Sequence, residues 1–207
     1  MKTKYMVNGF LETALLTALC AALAAGVWAQ GRAGRLAEDL VRLHVVAVSD
    51  DAQEQAVKLR VRDAVLAYLE PSLSGLDDAQ AARGTIRAHL DGVQEAAAAA
   101  AEGRPVTVTL GREYYPTRDY GSFALPAGEY CSLRVVLGEG QGHNWWCVVF
   151  PPLCMTAAES PATEAVGSGL TAADASLISG QDGDYVIRFR ALELWGQLQH
   201  ALEQHGS

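Results

Sequence analysis

The chain predicts an α+β fold: a two-layer domain in which a small mixed or antiparallel sheet packs against helices, after an N-terminal signal or anchor helix. Three observations carry this. The hydrophobic period alternates over Val41–Val48, turns helical from Ala52 to about Glu102, and alternates again from Val106. The resulting order of one strand, two helices, three strands and a helix lacks the regular strand–helix alternation of a parallel doubly wound sheet. A charge-free apolar run precedes all of it.

That run comes first. Lys2 and Lys4 are followed by Thr13–Val27, which holds no charge, and by Val27-Trp28-Ala29, the small-residue exit of a secretory signal. Residues 1–29 are therefore read as a signal cut after Ala29 or as a retained membrane anchor, residues 30–39 as a Gly- and Arg-rich spacer, and residues 40–207 as one exported domain. Val41, Leu43, Val45 and Ala47 share one face of the first strand, which should be central. Ser49-Asp50-Asp51 forms an N-cap cluster, with Gln53 in the capping-box relation to Asp50. The helix from Ala52 to Leu69 carries Val57, Val61, Val65 and Leu69 on one stripe, and Pro71 should end it. Leu76–Glu102 is a second helical region, broken or kinked at Gly84 and Gly92.

Sheet resumes at Val106, with Val106, Val108 and Leu110 on one face and Thr107 and Thr109 on the other. Glu113–Tyr120 and Phe123–Tyr130 read as irregular, aromatic loops. Tyr130–Leu137 and Asn144–Phe150 are strands, and Gly138–Gly142 between them suits a hairpin turn. As a phosphate cradle that stretch would need to lead into a helix, and it leads into a strand. Gly167–Gly183 reads as a loop, and Tyr185–Glu203 as a last amphipathic helix with Ile187, Leu192, Trp195 and Leu198 inward.

Charge narrows the partners. Residues 1–29 hold two of the 16 Lys and Arg and one of the 24 Asp and Glu, which leaves 14 basic and 23 acidic residues and a net charge of −9 beyond them. Such a surface repels nucleic acid and anionic headgroups. The expected partner is a protein, with membrane contact only through residues 1–29 if they are uncut. Cys20 lies inside the signal, so three cysteines remain. Either Cys147 and Cys154 pair across Pro151-Pro152 with Cys131 spare, which is favoured, or all three are buried thiols. No short ligand spacing suggests zinc, and no hydrolase or nucleotide-binding signature and no cofactor motif is present.

Two constellations remain. His44, two residues after Arg42, lies near Asp50 in sequence, and with a free Cys147 these would make a nucleophile–base–orienter set for an extracytoplasmic hydrolase of cell wall or protein. The ordinary alternative makes His44 a hydrogen-bonded residue at the sheet rim and Asp50 a cap. Trp145 and Trp146 must point to opposite faces of a strand. One belongs to the core; the other is either an exposed anchor beside Pro151-Pro152 or covered by a helix or by Tyr114-Tyr115.

Arg42-Leu43-His44-Val45-Val46-Ala47-Val48-Ser49-Asp50, then Gln55, Lys58, Val61, Arg62 and Asp63, then Pro126-Ala127-Gly128-Glu129-Tyr130, then Asn144-Trp145-Trp146-Cys147 through Pro151-Pro152-Leu153-Cys154 resemble the stage II sporulation protein R family over about residues 40–200. Val48 stands where the family usually has Asn, and Cys131-Ser132 follow Tyr130 where acidic and small residues are more usual. The resemblance implies a non-enzymatic signal made in the forespore and exported to the space between two membranes. There it would trigger a membrane-embedded aspartic protease of the mother cell to cleave the sigma-E precursor. The contact rim expected from this is Arg42, His44, Asp50, Arg62, Trp145, Trp146, Pro151 and Pro152.

Overall fold

The computed structural model describes residues 2–120 and 124–153. The expected loop Gly167–Gly183, the helix Tyr185–Glu203 and Cys154 lie outside the described residues. Within them the fold is α+β, with four helices and a small mixed sheet of four strands. In chain order these are α1 (Lys2–Glu38), β1 (Val41–Val46), α2 (Ala52–Leu73), α3 (Ala79–Ala88), α4 (Leu90–Ala100), β2 (Val106–Tyr115), a short pair β3 (Arg118–Asp119) and β4 (Ala124–Leu125), β5 (Gly128–Leu137) and β6 (Asn144–Phe150).

The sheet order is β2-β5-β1-β6, with β1 parallel to β5 and antiparallel to β6. β1 is central, as expected, and all six of its residues are buried. Because β1 lies between β5 and β6, the glycine-rich connection is not a hairpin turn. Gly138 and Gly140 take φ of 56° and 65°, where a side chain would be strained. The Gly142 N–H then donates to Ala47 O at 2.9 Å, which ties the crossing to the end of β1. A Cβ at Gly142 would run into the Ser49 backbone.

One face of the sheet is covered by α2, α3 and α4. Val41, Leu43, Val45, Leu133 and Val135 meet Val57, Val61, Val65, Leu69, Ile86 and Val93 in the main core. α2 passes Pro71 and runs on to Leu73. Proline there removes only one bond near the end of the helix, and Leu69 and Leu73, one turn apart, are both buried. α3 and α4 separate at His89, whose N–H is shared between Thr85 O and Ile86 O. Gly84 and Gly92 lie inside the helices instead; the Tyr68 ring occupies the space a side chain at Gly92 would need.

The other face is covered by the end of α1 and by β3 and β4. Leu36, Ala37 and Leu40 are buried with Tyr115, Leu125, Tyr130, Val148 and Leu153, a gain of roughly 2 kcal/mol for each leucine. The stretch expected as a spacer is therefore helical to Glu38, and its last residues belong to the core. β2 also runs through Tyr115, so Glu113 is a strand residue and not part of a loop.

Candidate functional site

Alternation along β1 sends Arg42 and His44 to the face opposite α2–α4. Arg42 is fully buried. Its guanidinium lies 4.0 Å from the Tyr115 ring centroid and 5.0 Å from that of Tyr130, and Nη2 donates to the Tyr120 hydroxyl. Nε and Nη1 have no hydrogen-bond partner among the described residues, so the aromatic faces carry much of the compensation for burying this charge.

His44 sits one step further along the same face. Nδ1 is 2.9 Å from Glu113 Oε1, and Nε2 is 2.9 Å from Asn144 Oδ1. Ser132 Oγ donates to Glu113 Oε2 at 2.8 Å. The one Ser132 proton is then used, and Tyr115 must donate the 2.6 Å bond to Ser132 Oγ. Burial pushes the Glu113 carboxyl up, but the Ser132 hydrogen bond and the facing His44 outweigh it and hold it below the usual carboxylate range. Burial pushes the Tyr115 and Tyr130 hydroxyls well up, so both remain protonated. Trp146 closes the group, tilted 5.5 Å from His44, with the Arg118 guanidinium 3.7 Å from its ring centroid.

A second, exposed group forms where β1 leads into α2. The Asp50 carboxylate accepts from the His143 N–H at 2.6 Å and pairs with His143 Nδ1 at 2.5 Å. It is not the cap of α2; that position is Asp51. The expected capping box at Gln53 is replaced by Gln55, which donates to Ser49 O. Lys58, almost fully buried, donates to Gln55 Oε1 at 2.6 Å and to His143 O at 3.0 Å. Its burial holds the ammonium below the usual lysine range, against the pull of Asp50. Arg62 lies 4.5 Å over the Trp145 ring, which remains 37% exposed.

The structure thus divides the expected rim. Asp50, Arg62 and Trp145 share the exposed corner. Arg42 and His44 are buried on the other face, Trp146 is half-buried there under Tyr115, His44 and Arg118, and Pro151 is buried while Pro152 is half-buried. A partner touching the corner does not reach Arg42 or His44. The hydrolase set does not converge either. Asp50 pairs with His143, His44 pairs with Glu113, and Cys147, on the helix-covered face, is disulfide-bonded. Its expected partner, Cys154, lies outside the described residues, and Cys131 is a free, buried thiol. Sequence reasoning did not place Glu113 or Ser132 in this network, and it named Tyr115 only within a Tyr114-Tyr115 cover for a tryptophan, which Tyr115 supplies at Trp146. Extending the alternation of Thr107 and Thr109 by three steps would have placed Glu113 and Tyr115 on this face.

A small α+β domain behind an apolar N-terminal helix, with a buried polar network and an exposed Trp–Arg corner, has a family counterpart. The family model for stage II sporulation protein R matches residues 37–160, and the chain belongs to that family. It is similar to the stage II sporulation protein R of Bacillus subtilis (strain 168), with 36% identity over 121 residues. That alignment covers 56% of this chain and 54% of the relative, so the chain spans about half the length of the protein it matches. No solved structure matches.

Proposed function

We propose that this sporulation protein is a ligand: made in the forespore and exported, it binds the outer face of a membrane-embedded aspartic protease of the mother cell and switches on cleavage of the sigma-E precursor. Family membership supports the sporulation role. The observation that favours a contact surface is the corner of Trp145, Arg62, Asp50 and His143. A partly exposed tryptophan stacked with an arginine and flanked by the hydrogen-bonded Asp50–His143 pair has the composition of an interface anchor. The backing is firm, because Lys58 ties α2 to the His143 carbonyl from beneath.

The test is co-expression of the full chain with the candidate protease and its substrate in a host that lacks all three, scoring precursor cleavage. W145A should reduce cleavage at least about tenfold, the loss of one anchor of some 1.4 kcal/mol or more, while export and folding are unchanged. Cleavage at the parent level in both W145A and R62A removes the corner from the mechanism.

A further inference from the structure

The apolar belt of α1 and its docked end belong to one continuous helix of 37 residues. Between Glu12 and Arg32 the 19 residues Thr13–Gly31 carry no charge, a length of about 28 Å against a bilayer core of about 30 Å. Leu15, Leu16, Leu19, Leu23 and Val27 are all exposed within an arc of about 120°, and alanines with Thr17, Cys20 and Gly26 fill the rest of the circumference without a charge, so the belt has no polar face of the kind a surface helix turns to water. At the end of this belt Trp28 stacks with Arg32 at 5.7 Å, an aromatic ring beside a cation as found at the membrane–water interface. Gly26 and Gly31, unfavourable in a helix in water, are ordinary in one that spans lipid.

The other end is fixed. Leu36 and Ala37 are in the core, Glu38 takes Arg112 Nη1 at 2.7 Å, and Arg83 Nη1 donates to Glu38 O at 2.7 Å. Helix, apolar contact and two arginines from different elements hold the junction, so no flexible linker lies between the belt and the sheet. Val27-Trp28-Ala29 lies within this unbroken helix, whereas a peptidase reads its substrate extended.

We propose that α1 is retained uncut and acts as a rigid strut: Thr13–Gly31 occupies the bilayer, and the helical rise from Gly31 to Leu36 holds the domain about 8 Å from the edge of the apolar belt in a fixed rotational setting. The retention part is independent of the protease reading; the rotational part rests on it.

The experiment uses the full chain in two arms. In the first, without any protease, the exported protein is fractionated and its intact mass measured. The uncut chain in a carbonate-resistant membrane fraction is expected; a soluble product beginning at Gln30 overturns the proposal. In the second, alanines are inserted after Arg32 in the co-expression assay. Two alanines turn the domain by about 200°, and seven turn it by about 700°, within about 20° of two full turns. Cleavage should fall at least about tenfold with two and recover to within about threefold with seven. Equal cleavage across the inserts overturns the fixed setting. If even the parent chain supports no cleavage, the protease reading is what fails, and the first arm alone decides the strut.

Discussion

Glu113 is the hinge of the buried network, and its removal gives the sharpest test of it. E113A leaves His44 Nδ1 and the Ser132 hydroxyl without their acceptor and, through Ser132, loosens Tyr115. Two hydrogen bonds to a charged acceptor are worth roughly 1.5–3 kcal/mol each. The Glu113 side chain keeps 27% exposure, so water enters and repairs part of the loss, and about 2–4 kcal/mol is expected. E113Q keeps one acceptor and loses the charge, for about 1–2 kcal/mol. The assay is urea unfolding of residues 30–207 at neutral pH and then at falling pH. The folded carboxyl titrates below its ordinary value of 4.5. Its contribution is therefore full above that value and is lost as pH falls through the lower folded value. The parent and E113Q curves should accordingly converge on the acid side while remaining apart at neutral pH. An E113A domain within about 0.5 kcal/mol of the parent at pH 7, or a parent–E113Q gap that widens in acid, would refute the network as a source of stability.

Two further outcomes follow from the same core. G142A forces a methyl group against the Ser49 carbonyl and strains the Gly142–Ala47 hydrogen bond; urea unfolding should show a loss of about 1–3 kcal/mol with an unchanged denaturant slope. Cys131 is buried and its thiol is pushed up by that burial, with only partial relief from Arg83, Arg87 and Arg112. In a C20S background an aromatic disulfide reagent at pH 8 should therefore label Cys131 only on the timescale of unfolding, and rapid labelling of the native domain would show the site to be open.

The layers of this fold were legible because periodicity is local. The stripe of Val57, Val61, Val65 and Leu69 and the bounds Asn144–Phe150 appear in the structure as the pattern reads. Strand neighbours were not legible, because nothing within residues 130–150 records that β1, some ninety residues earlier, lies between β5 and β6. The site failed for the same reason. His44 finds Glu113 across 69 positions of sequence and Asn144 across 100, so the nearby Asp50 was a misleading candidate. Arg42 and His44 looked like surface chemistry because they are polar. Their burial follows from what α1 and the β3–β4 pair lay over them, which no window around the strand contains.

The placement of β1 has a consequence for delivery. Under the proposed export it is the first strand of the domain to leave a translocation channel that moves the chain N-terminus first, yet its register partners are Cys131–Val136 on one side and Asn144–Phe150 on the other. Until Leu137 has emerged β1 has no neighbour at all, and until Phe150 has emerged it lacks β6. Pairings this distant in sequence form slowly, so the chain remains threadable while it crosses, and the domain closes only once nearly all of its sheet is on the far side.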